Sequence, residues 1–320
     1  MARITIVSPT GAGTRTGNLH TAQRYARFLR SAGHGVSVAT GWDGRACDLL
    51  IALHARRSHE AVLRYREQRP GKPLIVVLTG TDLYRDLPTS AEARESLRLA
   101  DRVIVLQEDA LRVVDKAFRP KARVVYQSSA ATAAHAPPGN VFRLAVVGHL
   151  REEKDPFRAV QALSLLKDFA GLELVQLGAP LSPGMEETAR QWMARDSRYR
   201  WLGSVPHARA LGWIARSHLL VVSSVMEGGA NVICEAARIG TPVLASRVSG
   251  NIGMLGRSYP GYFALHDEKG LAGLIEKYSH QNKYGILRKY LAARRKLFAP
   301  AAEKRALLQQ LVDLGARRRA

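Results

Sequence analysis

The chain has 320 residues, of which 46% are hydrophobic and 23% are charged. These fractions are typical of globular proteins, and the sequence has no repeat period, so intrinsic disorder, a fibrous architecture and a solenoid are excluded. The 48 basic and 27 acidic residues give a net charge of +21, but both halves of the chain are basic and no arm concentrates the charge. We therefore expect a globular protein of two domains that does not bind nucleic acid.

Cysteine usage and hydropathy bear on compartment and metal binding. Cys47 and Cys234 are the two cysteines; they are too few for a disulfide framework, so we expect reduced thiols and a cytoplasmic protein. No apolar stretch approaches about 18 residues, which predicts no transmembrane segment. The sequence also lacks an Asp-x-Asp pair and any cluster of His, Cys and carboxylates at metal-ligand spacing. We therefore expect chemistry without a metal ion.

Short apolar runs alternate with helix-like segments through the first half of the chain. The apolar positions of residues 18–31 keep helical spacing, as expected for a helix that covers a sheet. The runs that predict strands are residues 4–7, 36–39, 49–53, 74–78, 102–106 and 123–126. This alternation predicts one doubly wound parallel sheet.

The same pattern restarts after residues 130–140, which are rich in Ala, Thr, Pro and Gly and resemble a linker. Strand-like runs follow at residues 144–147, 172–177, 200–202, 219–223 and 242–246. The last 50 residues contain no strand-like run and predict two or three helices. The fold class is therefore α/β, with two doubly wound Rossmann-like domains facing each other across a cleft. Their expected bounds are residues 1–135 and 141–300, with a C-terminal helix at residues 301–320 that packs back on the first domain.

Three loops of the first domain follow predicted strands. They are residues 8–18, which carry glycines, hydroxyls and one arginine ahead of a helix, and residues 53–58 and 78–86. A helix N-terminus with flexible glycines suits an anion, whereas the spacing does not fit a nucleoside-triphosphate P-loop. The candidates for binding a ligand in these loops are Gly13, Thr14, Arg15, Gly17, Asn18, His20, His54, Arg56, Thr79, Gly80 and Arg85.

The most informative stretch is residues 223–237, where a strand ends, a glycine pair turns the chain and a helix begins. The backbone N–H groups and the positive end of the helix dipole at such a point form an anion site. Glu227 and Glu235 are eight residues apart, about two helical turns, so Glu235 can face the helix entrance and grip ribose hydroxyls. The candidates for binding a ligand here are Gly228, Gly229, Ala230, Asn231, Val232 and Glu235.

This Glu-x7-Glu stretch, followed by Gly-Thr-Pro-Val at residues 240–243, resembles the signature of family 4 retaining nucleotide-sugar glycosyltransferases of the GT-B fold. Residues 146–155 resemble the family's Gly-Arg-Leu-x-x-x-Lys-Gly loop, which implies that Lys154 clamps the diphosphate. His149 replaces the family arginine and Asp155 the final glycine, so Arg151 and His149 are alternative substitutes for that arginine. The resemblance also implies that Glu227 lies near the sugar ring and that Val205 meets the nucleotide base through its backbone.

Residues 79–82 resemble the family's His-Gly-x-Asp loop, with Thr79 in place of the histidine. Together with residues 13–18, 40–45, 48–58 and 78–87, they resemble one subgroup, the selenosugar synthases of bacterial selenoneine biosynthesis. That resemblance implies transfer of the sugar of a UDP-sugar, typically UDP-N-acetylglucosamine, to selenophosphate with release of UDP and phosphate. It implies a UDP-sugar as donor substrate and no other cofactor. It also implies that the first domain binds the acceptor through the candidates within residues 13–20, 54–56 and 79–85, and that the second domain binds the donor through those within residues 228–235.

Three other functions stay open on the residues alone. The first is a conventional family 4 transferase that acts on a sugar or lipid hydroxyl. The second is a sugar-nucleotide epimerase, which shares the fold. The third is a non-catalytic nucleotide or nucleic-acid binding protein, since function resides in the site and not in the fold.

Overall fold

The computed structural model describes residues 1–9, 17–280 and 283–316. The chain forms two compact units. One consists of Met1–Gln127 and the chain from Pro300 onward, and the other of Ser128–Ala299.

The first unit contains a six-stranded parallel sheet in the order β2-β1-β3-β4-β5-β6. Its strands are β1 (Arg3–Val7), β2 (Gly35–Ala39), β3 (Leu49–Leu53), β4 (Leu74–Leu78), β5 (Arg102–Val105) and β6 (Ala122–Val124). Its first helices are α1 (Gly17–Arg30), α2 (His59–Gln68), α3 (Ala91–Leu99) and α4 (Ala110–Val113). Every residue of β3 and β4 is buried, because helices cover both faces of a parallel sheet.

The second unit repeats this arrangement, with strand order β12-β11-β10-β7-β8-β9. Its strands are β7 (Phe142–Val147), β8 (Leu172–Leu177), β9 (Tyr199–Trp201), β10 (Leu219–Val222), β11 (Val243–Ser246) and β12 (Tyr262–Phe263). Its helices are α5 (Arg158–Leu165), α6 (Met185–Arg195), α7 (His207–Ala215), α8 (Asn231–Ile239), α9 (Ser249–Leu255), α10 (Glu268–Ser279) and α11 (Gly285–Arg294).

The last helix, α12 (Pro300–Ala316), belongs to the first unit. Leu307 and Leu314 are buried in the same apolar cluster as Tyr25 and Leu29 of α1. Glu303 is 1% exposed and accepts two bonds from the Arg24 guanidinium, the shorter at 2.7 Å. Apolar packing and a buried ion pair therefore hold the end of the chain against α1. None of the described helices is long and apolar enough to cross a membrane.

The strand pattern predicted from the sequence is confirmed, with ends that differ by at most two residues. The short strand β12 was not predicted, because a pair of residues carries no periodicity. Residues 130–138 contain no helix or strand but lie against the second unit. There the Ala136 N–H donates to the carbonyl of Ala215 at 2.8 Å, and the His135 ring bonds the carbonyl of Ser217 at 3.0 Å.

Candidate active site

The strand order of the second unit creates a crevice between β7 and β10. These strands are neighbours, but the chain leaves β7 toward β8 and leaves β10 toward β11. Loops that diverge in this way open a ligand crevice at the carboxyl ends of the strands. A small pocket lies at this point, and Lys154, Glu227 and Val232 line it together with the ends of both strands.

Lys154 and Glu227 form an ion pair in this pocket although 73 residues separate them. The Glu227 side chain is 9% exposed and that of Lys154 is 23% exposed. The same carboxylate oxygen, Oε1, also accepts a bond from the Ser224 hydroxyl at 2.7 Å. The two residues that the sequence proposes for the diphosphate and the sugar ring are thus in direct contact.

Buried hydrogen bonds from β11 and α9 hold the loop between β10 and α8, which carries Glu227 and is called the Glu227 loop below. The Ser246 hydroxyl donates to the carbonyl of Ser224 at 2.5 Å, and the Asn251 amide donates to Ser246 at 3.0 and 3.1 Å. Gly250 lies so close that a Cβ atom there would be 1.9 Å from the carbonyl oxygen of Glu227. These supporting residues were not predicted, because nothing in the spacing of β11 and α9 signals contact with a distant loop.

Helix α8 begins at Asn231, directly beyond the glycine turn. Ala230 occupies the N-cap position in an extended conformation and has no polar group with which to cap the helix. An N-terminus without a side-chain cap suits an external anion. Glu227 precedes the helix and does not lie on it. The expectation that Glu227 and Glu235 are two helical turns apart is therefore wrong. The glycine turn separates the two carboxylates into different surroundings.

Glu235 lies in the second turn of α8 and pairs with His207, the first residue of α7. Its Oε1 accepts a bond from the His207 Nε2 at 2.8 Å. The carboxylate is 12% exposed and the imidazole is 63% exposed. The bond to Glu235 raises the pKa of His207 above its ordinary value of 6.5. Val205, two residues before α7, is half-buried. The sequence reasoning did not single out His207.

The loop after β7 gives different roles to His149 and Arg151. The His149 Nδ1 accepts a bond from the Ala179 N–H at 3.2 Å, so the imidazole joins this loop to the one after β8. The Arg151 side chain is 43% exposed, and its Nε lies 3.9 Å from the Glu153 carboxylate. Of the two substitutes for the family arginine, Arg151 therefore carries a permanent charge on a partly exposed side chain.

Asp155 stands where the family loop has glycine, and its backbone conformation accounts for that position. It has φ of +43° and ψ of +58°, the left-handed region that glycine adopts without strain. Asp tolerates this region better than most residues. Its carboxylate also accepts a bond from the Arg158 Nε at 2.9 Å and lies 3.3 Å from the His266 ring nitrogen. The aspartate thus keeps the turn and adds an ion pair.

In the first unit, the strand order places the corresponding crevice between β1 and β3. His54 follows β3 directly, is buried, and has φ of +72°, which is strained for a non-glycine residue. Its Nε2 lies 3.1 Å from the Thr81 hydroxyl, and its Nδ1 accepts a bond from the Arg57 N–H at 3.3 Å. Burial lowers the pKa of His54, so the imidazole is neutral at pH 7.

Asp82 organises the neighbouring loop after β4 through backbone bonds. Its Oδ1 accepts the N–H groups of Thr79 at 2.8 Å and Gly80 at 2.9 Å, and also that of Leu83. Its Oδ2 accepts the N–H of Ala55 at 3.0 Å, which joins the loops after β3 and β4. The backbone N–H groups of Thr79 and Gly80, two of the candidates for binding the acceptor substrate, are therefore bonded within the loop.

Replacing Asp82 by alanine should destabilise the first unit by about 3 kcal/mol or more, because several buried N–H groups lose their acceptor. Asparagine keeps an oxygen for the three bonds to Oδ1, so Asp82→Asn should cost less. Urea denaturation of the two variants and the wild type measures the difference. Equal stability of the alanine variant and the wild type would contradict this role.

The other acceptor candidates of the first unit fall into three groups. Arg56 and Arg85 contact the same carboxylate, that of Asp86, at 2.9 and 3.4 Å. Burial opposes ionisation of Asp86, but the bonds from the two arginines hold its pKa below the usual range. Gly17, Asn18 and His20 lie in the first turn of α1. Gly13, Thr14 and Arg15 lie outside the described residues.

The loops after β3 and β4 carry three guanidinium groups, those of Arg56, Arg57 and Arg85, against the two carboxylates of Asp82 and Asp86, so their net charge is positive. Among residues 1–9, 17–280 and 283–316, no group of three or more His, Cys, Asp or Glu side chains is arranged to hold a metal ion.

Comparison with known proteins identifies the family. The model of a family described as "Glycosyl transferases group 1" matches residues 127–296, more than half of the chain. The structure is similar to that of Anabaena Alr3699/HepE in complex with UDP and glucose, with a TM-score of 0.77 and 15% identity over 98% of this chain and 100% of that one. It is similar to sucrose-phosphate synthase from Thermosynechococcus elongatus, with a TM-score of 0.80 and 16% identity over 99% and 100% of the two chains.

A glycosyltransferase from Rickettsia africae is a third similar structure, with a TM-score of 0.69 and 12% identity over 96% of each chain. These likenesses confirm the predicted α/β fold with two Rossmann-like units, and the family match confirms the enzyme class. The chain belongs to the glycosyl transferase group 1 family and is a glycosyltransferase of the GT-B fold.

Proposed function

We propose that this glycosyltransferase is a selenosugar synthase that uses UDP-N-acetylglucosamine and selenophosphate. The selenium atom attacks the anomeric carbon of the sugar, a carbon–selenium bond forms, and the bond from that carbon to the UDP oxygen breaks. Water then cleaves the phosphorus–selenium bond, which leaves a 1-seleno sugar and phosphate. The support for this specificity is the resemblance of residues 40–45, 48–58 and 78–87 to that subgroup.

The proposed binding site for the donor substrate lies in the second unit. The observation that supports it most directly is the Lys154–Glu227 pair at the crevice, close to the N-terminus of α8. In this proposal the helix N-terminus and Lys154 hold the diphosphate, with Arg151 as a second cation. Glu235 binds the ribose hydroxyls, and the backbone of Val205 contacts the base. The Anabaena protein, which is similar in fold, is described in complex with UDP and with UDP-glucose.

The same groups would stabilise the leaving group. As the bond to the anomeric carbon breaks, negative charge grows on the distal phosphate of UDP. Fixed N–H dipoles and an ammonium group lower the energy of that charge most effectively where little water competes. Lys154 would meet this charge without a metal ion, while Glu227 orients the sugar ring.

The proposed binding site for the acceptor substrate lies in the first unit. A small anionic acceptor needs positive charge more than it needs a broad carbohydrate groove. Arg56, Arg57 and Arg85 outnumber the carboxylates of Asp82 and Asp86 in the loops after β3 and β4. The neutral, buried His54 and the absence of the family histidine at Thr79 fit a nucleophile that is already anionic. Such a nucleophile needs no strong general base, unlike a sugar hydroxyl.

A conventional family 4 transferase, which uses a sugar or lipid hydroxyl as acceptor, is the second candidate. The family match itself favours it, because this function needs the same donor site. The two candidates differ in the acceptor alone, so one assay separates them.

The test is to incubate the full chain with UDP-N-acetylglucosamine, with and without fresh selenophosphate, and to follow UDP and the sugar product by mass spectrometry. We expect UDP release that depends on selenophosphate and a product with the mass of a selenosugar. Boiled protein is the control for spontaneous breakdown. Release of UDP only with a hydroxyl acceptor would overturn the selenium assignment and favour the conventional transferase.

A further inference from the structure

His207 and Glu235 form a contact in which His207 has no role in the proposed reaction. Glu235 lies on α8 and is nearly buried, whereas His207 is the first residue of α7 and is largely exposed. The His207 Nε2 donates to the Glu235 Oε1 at 2.8 Å. A carboxylate can only accept hydrogen bonds, so the imidazole is the donor in this pair.

Of the charged side chains on the helices and the strand around His207, the one that bonds its ring is Glu235. Helix α7 packs against α8 and β7. On α8 the other charged side chain is Arg238, which lies one turn beyond Glu235. On β7 the charged side chain is Arg143, which bonds Glu173 at 2.8 Å and stacks on Trp213. On α7 itself Arg209 is exposed. The bond and the charge of Glu235 favour protonation of the ring, and they outweigh the opposing effect of its partial burial.

We propose that His207 is a donor-site residue that holds the Glu235 carboxylate until the ribose hydroxyls of the nucleotide take its place, so that nucleotide binding releases a proton. This inference rests on the proposed function, in which Glu235 binds the ribose. In the ligand-free protein the imidazolium satisfies a nearly buried carboxylate, which keeps it from being left without a partner. When the hydroxyls donate to that carboxylate, the exposed imidazole turns toward solvent.

The direction of the pH effect follows from linkage. In the free protein the bond to Glu235 raises the pKa of His207 above 6.5. After the bond is replaced, the pKa returns toward that ordinary value, so the bound state holds fewer protons than the free state. UDP should therefore bind more tightly as the pH rises from 6.5 through the raised pKa, and the affinity should level off above it. The expected gain is several-fold and up to about tenfold.

The test is a calorimetric titration of UDP into the full chain at pH 7, in two buffers with different enthalpies of ionisation. The difference in heat between the buffers gives the number of protons released. The β-phosphate of UDP contributes to this number, but it does so equally in every variant. His207→Gln keeps a hydrogen-bond donor near Glu235 without a titrating group, and His280→Gln changes an exposed histidine of the same unit as the matched control.

We expect the wild type and His280→Gln to release more protons on binding than His207→Gln does. The affinity of His207→Gln should also lose the part of the pH dependence that lies just above 6.5. Equal proton release by the wild type and His207→Gln, with UDP binding intact in both, would overturn the role of His207 and leave the proposed function standing. A wild type that binds no UDP would instead overturn the proposed donor site and the inference together.

Discussion

Replacing Glu227 by glutamine should lower the turnover of sugar transfer by about 100- to 1,000-fold without weakening the binding of UDP. Glutamine has the same shape and still accepts a bond from Ser224, but it removes the negative charge beside the sugar ring. Lys154, which pairs with Glu227 in the ligand-free protein, then has no competing carboxylate and stays available to the diphosphate. Steady-state release of UDP and calorimetric titration of UDP measure the two quantities.

Lys154→Ala, in contrast, should lower the affinity for UDP by about 10- to 100-fold, because a charge-assisted bond to the diphosphate disappears. Glu152→Gln, an exposed carboxylate in the same loop, is the matched control and should behave as the wild type. A Glu227→Gln variant with wild-type turnover, or a Lys154→Ala variant with wild-type affinity, would refute the roles assigned to the pair.

Gly250→Ala should impair turnover at least about tenfold and destabilise the chain by about 1–3 kcal/mol. The added methyl group would lie 1.9 Å from the carbonyl oxygen of Glu227 and 2.6 Å from its Cβ. Either α9 or the Glu227 loop must therefore move, and the carboxylate moves with the loop. Thermal unfolding and UDP release by the same protein preparation measure both effects.

The matched control is Gly273→Ala, in helix α10, where a Cβ would meet nothing within 4 Å. That change should stabilise the chain slightly, by up to about 1 kcal/mol, because alanine favours a helix more than glycine does. If Gly250→Ala were as active and as stable as Gly273→Ala, α9 would not position the Glu227 loop.

The strands and the glycine turn before α8 could be predicted because their signals are local. The five consecutive buried residues of β3 follow from a parallel sheet that helices cover on both faces. The glycine turn ahead of α8 likewise lies within a few residues of sequence. Family resemblance then identified Lys154 and Glu227 as candidates, although no local pattern brings them together.

The contacts that complete the site could not be predicted because they join distant segments. Glu227 meets Lys154 across 73 residues, and Glu235 meets His207 across 28. Gly250 lies against Glu227 only because β10 and β11 are neighbours in the sheet. Each of these contacts depends on strand order, which a single sequence specifies weakly. Ser224, three residues before Glu227, is the one supporting residue that the local sequence could have suggested.

A crystal structure of the chain with UDP would show where the nucleotide binds. We expect the diphosphate to lie at the N-terminus of α8 within hydrogen-bond distance of the Lys154 Nζ. We also expect the ribose hydroxyls to bond the Glu235 carboxylate, with His207 turned away from it. UDP bound elsewhere on the second unit, or on the first unit, would contradict the assignment of the β7–β10 crevice as the donor site.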